Sequence, residues 1–149
     1  MLRLSKKTDY ALLALRHLAL AGSTGQTVPA RELSETYDLP PELLAKVLQR
    51  LVRGGLLVSQ QGIRGGYELA KPADQITVAD VVTVVDGATK ITACTDEGHD
   101  CDQFSKCAIR DPLWKLKDRI VSALEATTVA ELASQVPPAT DVFPVTLHR

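Results

Sequence analysis

The feature that most constrains this chain lies between residues 28 and 69, where two helical segments flank a proline turn and a glycine-rich hairpin follows. The first segment, VPARELSETY (28–37), predicts a short helix in which Pro29 occupies the first turn and Leu33 points inward. Residues 39–41 (LPP) then force a turn, because proline fixes its own backbone and restricts the residue before it. The chain therefore changes direction between this helix and the next.

The second helical segment is PELLAKVLQRLVRGG, residues 41–55. Its apolar side chains recur at helical spacing, whereas the charged and polar ones fall between them. The apolar set is Leu43, Leu44, Val47, Leu48 and Leu51. Gly54 and Gly55 are expected to end the helix.

A two-stranded hairpin is predicted next. Residues 56–58 (LLV) predict one strand, and Tyr67 and Leu69 alternate with polar neighbours as the returning strand, with residues 62–66 (GIRGG) at the tip. Helix, tight turn, helix and hairpin is the order of a winged helix-turn-helix, whose second helix enters the major groove of DNA. A phosphate-cradling loop is poorly supported, since neither G-x-G-x-x-G nor G-x-x-x-x-G-K-[ST] occurs here.

Further helices are predicted on both sides of this unit. Residues 11–21 (ALLALRHLALA) are apolar almost all round, so this helix must be buried in a core or under a partner subunit. An apolar stripe over residues 76–85 predicts another helix. Residues 111–126 predict a long amphipathic helix, and Thr128-x-x-Glu131 is a capping-box signal for a short helix after it.

We therefore expect a mainly α fold with a small β wing, in which a winged helix-turn-helix domain is followed by a long C-terminal dimerisation helix. A length of 149 residues suits one domain with such an appendage. The expected division is a DNA-binding domain at 1–87, a cysteine-containing segment at 88–111, the dimerisation helix and a short following helix at 112–134, and a loosely held tail at 135–149.

The distribution of charge is uneven along the chain. Residues 1–71 carry ten Lys or Arg against six Asp or Glu, whereas residues 72–149 carry seven against twelve. A basic half of this kind can mark a surface that faces nucleic acid. A difference of this size also occurs on ordinary solvated surfaces, so the charge supports DNA binding only together with the helix pattern.

Six side chains are the candidate DNA contacts. Lys46, Gln49 and Arg50 have the chemistry to reach phosphates and base edges from one helix. Arg64, at the hairpin tip, is suited to a minor groove. Lys6 and Arg31 are the remaining two candidates. Double-stranded DNA is therefore the expected partner.

All three cysteines, Cys94, Cys101 and Cys107, lie in one polar segment crowded with acidic side chains. A structural zinc site favours a close C-x2-C pair and four ligands, whereas the gaps here are longer. An iron–sulfur cluster needs thiolates from a segment able to wrap it, but normally takes four protein ligands, which leaves one position to fill. The chemistry ranks an iron–sulfur cluster above zinc, and zinc above a simple redox thiol.

Membrane proteins and enzymes are the two classes that the sequence disfavours. No apolar run approaches the roughly 20 residues that cross a bilayer, and the N-terminus lacks a signal-peptide cleavage site, so we expect a cytoplasmic protein without membrane contact. An odd number of cysteines in such a chain argues against a disulfide framework. Thiols in an acidic segment without a nucleophile–base pair do not indicate an enzyme.

Four features together resemble the iron–sulfur-sensing winged-helix repressors, the family that includes IscR, NsrR and the regulators of SUF cluster assembly. They are the opening LRLSKKTDYALLAL, the segment ARELSETYDLPPELLAKVLQRLVRGGLL, the wing GIRGGYEL and the three-cysteine segment followed by Trp114. The resemblance covers residues 1–133 and is nearest to the SUF-regulator branch. It implies a DNA-binding repressor that senses iron–sulfur, redox or nitric oxide status and controls cluster-assembly genes.

The resemblance also implies a homodimer and a set of ligands. The long helix would cross its counterpart through Leu113, Leu116, Ile120 and Leu124. Cys94, Cys101 and Cys107 would hold a cluster of the 2Fe–2S or 4Fe–4S type, which the sequence does not distinguish. Asp9 of the partner subunit is the expected fourth ligand, with His99 as the second choice and a solvent or small-molecule ligand as the third.

The chain departs from the family pattern at two positions. IscR-like members have a histidine three residues after the last cysteine, where this chain has Arg110, and arginine stays protonated and cannot ligate iron. An arginine often precedes the first wing glycine, where this chain has Gln61.

An alternative function of another class is a zinc-bound or metal-free winged-helix dimer that acts as a protein-interaction module.

Overall fold

The computed structural model describes residues 3–92 and 101–135, and within them it contains six α-helices and one two-stranded antiparallel sheet. The helices are α1 (Lys6–Gly22), α2 (Ala30–Tyr37), α3 (Pro41–Arg53), α4 (Val78–Asp86), α5 (Arg110–Ala126) and α6 (Val129–Ser134), and the strands are β1 (Leu57–Gln60) and β2 (Gly66–Leu69). The expected fold class, mainly α with a small β wing, is confirmed.

Helix α1 runs through the middle of the core. It begins at Lys6, ahead of the apolar segment, because the Ser5 hydroxyl caps it by accepting a hydrogen bond from the backbone N–H of Thr8. Ala11, Ala14 and Leu15 are completely buried. Among residues 11–21 only Leu20 is exposed, so the prediction that this apolar helix is buried is confirmed apart from that position.

The α2–α3 pair forms the helix-turn-helix. Asp38, at the end of α2, adopts a left-handed conformation with φ of 50°, and the backbone N–H of Leu39 bonds the carbonyl of Ser34. The predicted start of α2 was two positions too early. Pro29 precedes the helix as its N-cap rather than occupying its first turn, and Val28 is extended because it pairs with Tyr67 of β2.

The wing, which we define as β1, β2 and the tip at residues 61–65, follows α3 directly. Leu57 pairs with Leu69 and Gln60 with Gly66, so β1 begins one residue later than the pattern of residues 56–58 predicts and β2 one residue earlier than that of residues 67–69. Gly66 is required here, because a Cβ would lie 2.6 Å from the Val28 carbonyl oxygen. Val28 thereby joins the wing to the helix-turn-helix.

Helices α4, α5 and α6 return the chain to α1. Thr77 and Asp80 form a capping box at the start of α4, and the Thr128 hydroxyl accepts from the Glu131 N–H at the start of α6. Backbone hydrogen bonds from Val78 to Thr127 and from Val129 to Ile76 join the two starts. Helix α5 packs on α4, and α6 packs on α1.

Within residues 3–92 and 101–135, no helix is long and apolar enough to cross a membrane. Two predicted ligands, Cys94 and His99, lie outside the described residues, as does nearly all of the predicted tail. The predicted division into domains stays a prediction.

Candidate DNA-binding surface and cysteine segment

Helix α3 presents a polar face opposite its buried one. Leu44, Val47, Leu48 and Leu51 are buried against the core, which fixes the rotation of the helix about its axis. Lys46 and Gln49 therefore point outward. Neither side chain has a hydrogen-bond or ion-pair partner in the described part of the chain, so both are available to a ligand.

Arg50, the third candidate on α3, is already partly engaged. Its guanidinium donates to the backbone carbonyl of Val85 at 2.7 Å. This carbonyl belongs to the last turn of α4, where carbonyl groups lack partners within the helix and a nearby cation is favourable. Arg50 therefore ties α3 to the end of α4, and its predicted contact with DNA stays a prediction.

The wing tip is braced against the start of α2. The Thr27 hydroxyl donates to the carbonyl of Arg64 at 2.8 Å, and the Gly65 N–H bonds the Gly62 carbonyl at 2.9 Å. The guanidinium of Arg64 is exposed and has no partner among the residues that the structure describes. Arg64 is thus a free cation on a well-supported loop.

The last two DNA candidates differ from each other. Lys6 lies exposed in the first turn of α1. Arg31 lies exposed on α2, where its Nε donates to Glu35 at 2.7 Å, and this hydrogen bond and the Glu35 charge raise the pKa of Arg31. A surface ion pair of this kind contributes little to stability. Arg31 can therefore exchange Glu35 for a phosphate at small cost.

Asp86, the last residue of α4, binds the start of α1. The hydroxyls of Ser5 and Thr8 donate to its two carboxylate oxygens at 2.8 and 2.7 Å. Burial raises the pKa of Asp86, but the hydrogen bonds from Ser5 and Thr8 and the charge of Lys7 outweigh it and hold the pKa below its usual value. The end of α4 is therefore joined to α1 as well as to α3.

Two of the three cysteines are described, and both are half-buried free thiols. A 3₁₀ turn over Phe104–Lys106 lies between Cys101 and Cys107, and the Phe104 N–H bonds the Cys101 carbonyl at 2.9 Å. Accessible thiols at the two ends of a turn are of the type that ligates an iron–sulfur cluster or zinc. Within the described residues, no group of three or more His, Cys, Asp or Glu side chains is placed to hold a metal.

Asp9, the predicted ligand from the partner subunit, lies in the first turn of α1 and is exposed. A carboxylate at this position also stabilises the helix by its interaction with the dipole. Within one protomer the Asp9 carboxylate has no hydrogen-bond partner among the described residues, so it is accessible to a second subunit.

Arg110 closes the cysteine segment and begins α5. Its guanidinium lies 4.6 Å from the ring centre of Phe104 and 5.8 Å from that of Trp114. It also donates to the Asp111 carboxylate at 2.9 Å. Arg110, at the position where the resemblance predicts a histidine in IscR-like members, therefore makes cation–π contacts with two aromatic side chains.

Helix α5 buries none of its residues in one protomer. Leu113, Ile120 and Leu124 are half-buried, whereas Trp114 and Leu116 are 41% and 44% exposed. Ile120 and Leu124 also line a cleft of this protomer that reaches Arg3, Lys90 and Asp86. The four predicted dimerisation residues thus lie on a helix that has no buried residue in one protomer.

Three features of this region were not anticipated from the sequence: the bonds of Asp86 to Ser5 and Thr8, the bond of Arg50 to Val85, and the aromatic contacts of Arg110. The first two join residues far apart in sequence, and no local pattern reports such pairs. The third had a signal, because Phe104 and Trp114 lie near Arg110 along the chain.

Comparison with known proteins gives a consistent result. The family profile of Rrf2, described as an iron-dependent transcriptional regulator, matches residues 4–135. The transcriptional regulator IscR of Cronobacter sakazakii is 35% identical over 134 residues, which cover 89% of this chain and 81% of that protein.

Solved structures agree with the sequence matches. CymR, the global cysteine regulator of B. subtilis, is 27% identical with a TM-score of 0.74, over 92% of this chain and all of that one (100%). IscR of T. potens, with 24% identity and a TM-score of 0.69 over 91% of this chain and 93% of that one, supports the fold alone.

Proposed function

This chain belongs to the Rrf2 family of transcriptional regulators, and on that premise we propose that it is a homodimeric repressor whose affinity for its DNA operator depends on an iron–sulfur cluster. The family establishes a DNA-binding regulator rather than an enzyme. The proposal of an iron–sulfur cluster is supported by the positions of the three cysteines, all of which lie in the segment between α4 and α5. We further propose that it controls genes of cluster assembly in response to iron, oxygen or nitric oxide.

Cys94, Cys101 and Cys107 would hold the cluster, with Asp9 of the partner subunit as fourth ligand and His99 as the second choice. The accessibility of Cys101, Cys107 and Asp9 in one protomer supports this set. Arg110 is excluded because its guanidinium cannot lose a proton and is held by aromatic rings. When bound, the cluster would supply iron that reacts with oxidants and with nitric oxide. The cluster would be lost when iron is scarce.

Dimerisation through α5 is supported by its lack of buried side chains. In proteins most helix stability comes from packing an apolar face rather than from intrinsic propensity. Leu113, Leu116, Ile120 and Leu124 supply such a face at helical spacing. A second copy packed on them would remove Leu116 from solvent. It would also bring two winged units, each formed by α1, α2, α3 and the wing, onto one palindromic operator.

For DNA recognition, we propose that Lys46 and Gln49 enter the major groove from α3 and that Arg64 enters the adjacent minor groove from the wing. Their exposure and lack of partners among the described residues support these roles. Lys6 and Arg31 are proposed phosphate contacts. Arg50 is assigned a positioning role in addition, since its guanidinium is bonded to Val85.

Hydrogen bonds join the end of α4, which precedes the cysteine segment in the chain, to the recognition helix and to α1. The segment follows α4, and the last two residues of α4 are the ones that bind elsewhere: the Val85 carbonyl accepts from Arg50 of α3, and the Asp86 carboxylate accepts from Ser5 and Thr8 at the start of α1. Displacement of the end of α4 would therefore move α3 or α1, or break these hydrogen bonds. This is the route by which we propose that the ligand state of residues 94–107 reaches the DNA.

The free energy that this route must carry is small. A 10- to 100-fold change in operator affinity needs about 1.4 to 2.8 kcal/mol of coupling. One charge-assisted hydrogen bond contributes about 1.5 to 3 kcal/mol. Loss or distortion of the Arg50–Val85 contact is therefore sufficient in magnitude.

The test of the proposal is to purify the protein without oxygen and to record its visible absorption together with iron and sulfide per dimer. We expect a coloured protein whose absorption is lost in Cys101→Ala and retained in Ser105→Ala, a control from the same turn. The ratio of iron to sulfide, with the spectrum, separates the two cluster types. A colourless protein that holds zinc or no metal, even after reconstitution with iron and sulfide, would contradict the proposal.

A further inference from the structure

Ile63, at the tip of the wing, is the most exposed large apolar side chain in the described residues. Its exposure is 107% of that in an extended reference peptide, which means that it contacts nothing else in this protomer. Single exposed apolar residues are common on protein surfaces. This one is distinctive because the surrounding loop is built to hold it in place.

The tip that carries Ile63 is held by hydrogen bonds to its backbone. Thr27 is bonded to the carbonyl of Arg64, and Gly65 to that of Gly62. Gly62 has φ of 115°, and a Cβ on Gly65 would lie 2.6 Å from the Gln60 carbonyl oxygen, so the loop depends on glycine at both positions. Ile63 is thus presented at low conformational cost, and folding gains nothing from its side chain.

The neighbour of Ile63 identifies the ligand. Arg64 is an exposed cation without a partner among the described residues, on a wing that packs against the recognition helix α3. A cation beside an apolar side chain on a projecting loop is the combination that proteins use in the minor groove of DNA. The cation is attracted by the potential of a narrow groove, and the apolar group inserts between base pairs.

We propose that Ile63 is an apolar wedge that enters the minor groove beside Arg64 and partly unstacks one flexible pyrimidine–purine step, such as TA, in each flank of the operator. The proposal rests on the DNA-binding function proposed above and extends it. It assigns sequence selectivity to a position that receives no hydrogen bond, because the energy needed to open a step depends on its sequence. It also requires that the bound DNA be bent.

The experiment uses the full-length protein and a duplex that it selects from a random library. A fluorescent adenine analogue, whose emission rises when it unstacks, is placed at each flanking step in turn. Affinity is measured over a range of salt concentrations for the wild type, Ile63→Ser, Ile63→Leu and Arg64→Gln. Because Ile63 has no contacts in the protomer, none of the changes at this residue should affect folding, which thermal unfolding checks.

We expect the wild type and Ile63→Leu to raise the emission at one step in each flank. Ile63→Ser should abolish the rise and weaken binding on the order of tenfold, with an unchanged salt slope, since no counterion is involved. Arg64→Gln should instead lower the salt slope by about one per protomer. Unchanged emission and affinity in Ile63→Ser would overturn the wedge alone, whereas a wild type without salt-dependent binding to any duplex would overturn the DNA-binding function as well.

Discussion

The winged unit and helix α5 differ in whether their apolar side chains are buried within one protomer. In the winged unit, Leu15, Leu33, Leu44 and Leu48 are completely buried within one protomer. In α5 no residue is buried, although its leucines and isoleucine recur at the same helical spacing. A helical pattern therefore predicts an apolar face but does not say which molecule covers it. The apolar faces of the first region are covered within one protomer, whereas the second is expected to gain its order from a partner and from the ligands of the cysteine segment.

The largest effect is expected in the core of the winged unit. Leu48→Ala should lower the free energy of unfolding by about 2 to 5 kcal/mol, because the surrounding helices cannot close the cavity. The measurement is urea unfolding. The matched change Leu116→Ala in α5, measured at a concentration at which protomers are separate, should cost less than about 0.5 kcal/mol. Equal losses at the two positions would remove the distinction between the regions.

A charge on the exposed face of α5 should act on assembly instead. Leu116→Lys is expected to weaken the dimer about 100-fold or more, because an unpaired ammonium would be buried in the interface. Sedimentation velocity measures the dissociation constant, with Lys115→Ala as the control from the same helix. A dimer of unchanged strength would place the interface elsewhere on the chain.

The contact between α3 and α4 should control the communication between the two regions. Arg50→Met removes the hydrogen bond to Val85, and the ratio of DNA affinities between iron-loaded and iron-free protein should fall close to one. Arg53→Met, also on α3, should leave the ratio unchanged. If Arg50→Met instead lowers both affinities equally and reduces the salt slope by about one per protomer, Arg50 acts as a phosphate contact alone and its proposed positioning role is contradicted.

The smallest effect is expected at Asp86. Its folded-state pKa lies below the usual value, so it binds fewer protons when folded, and its stabilisation is present at neutral pH. Asp86→Asn should cost about 1 kcal/mol at neutral pH. As the pH falls from about 4 through the lowered pKa, the wild type should lose its advantage and the two unfolding free energies should converge. A constant difference between them down to the lowest pH would show that the carboxylate charge is not responsible.

Local patterns were sufficient to predict the winged unit. The Pro40-Pro41 turn, the apolar spacing of α3 and the glycines of the wing each constrain neighbouring residues, so their effects can be read within a few positions. The capping box of α4 could also have been found, since Thr77 and Asp80 have the same spacing as Thr128 and Glu131. The resemblance to this class of regulators is confirmed, whereas its SUF branch stays a prediction.

Contacts between distant residues could not be predicted. Val28 has a helical context in the sequence, yet it pairs with Tyr67 because the wing folds back over it. The types of Ser5 and Asp86 suggest caps or solvated side chains, and only the packing of α1 on α4 brings them together. The ligand set could not be predicted from local patterns either, because Asp9 would bind the same cluster as the cysteines of another protomer.

The central claim is that residues 94–107 control the DNA affinity of the winged unit. Its most direct test measures the affinity of full-length protein for a selected duplex, with and without bound iron, in the wild type and in a variant with all three cysteines changed to alanine. We predict a 10- to 100-fold difference between the two states of the wild type and a single affinity for the variant. Equal wild-type affinities in both states, in protein shown to bind iron, would contradict the account.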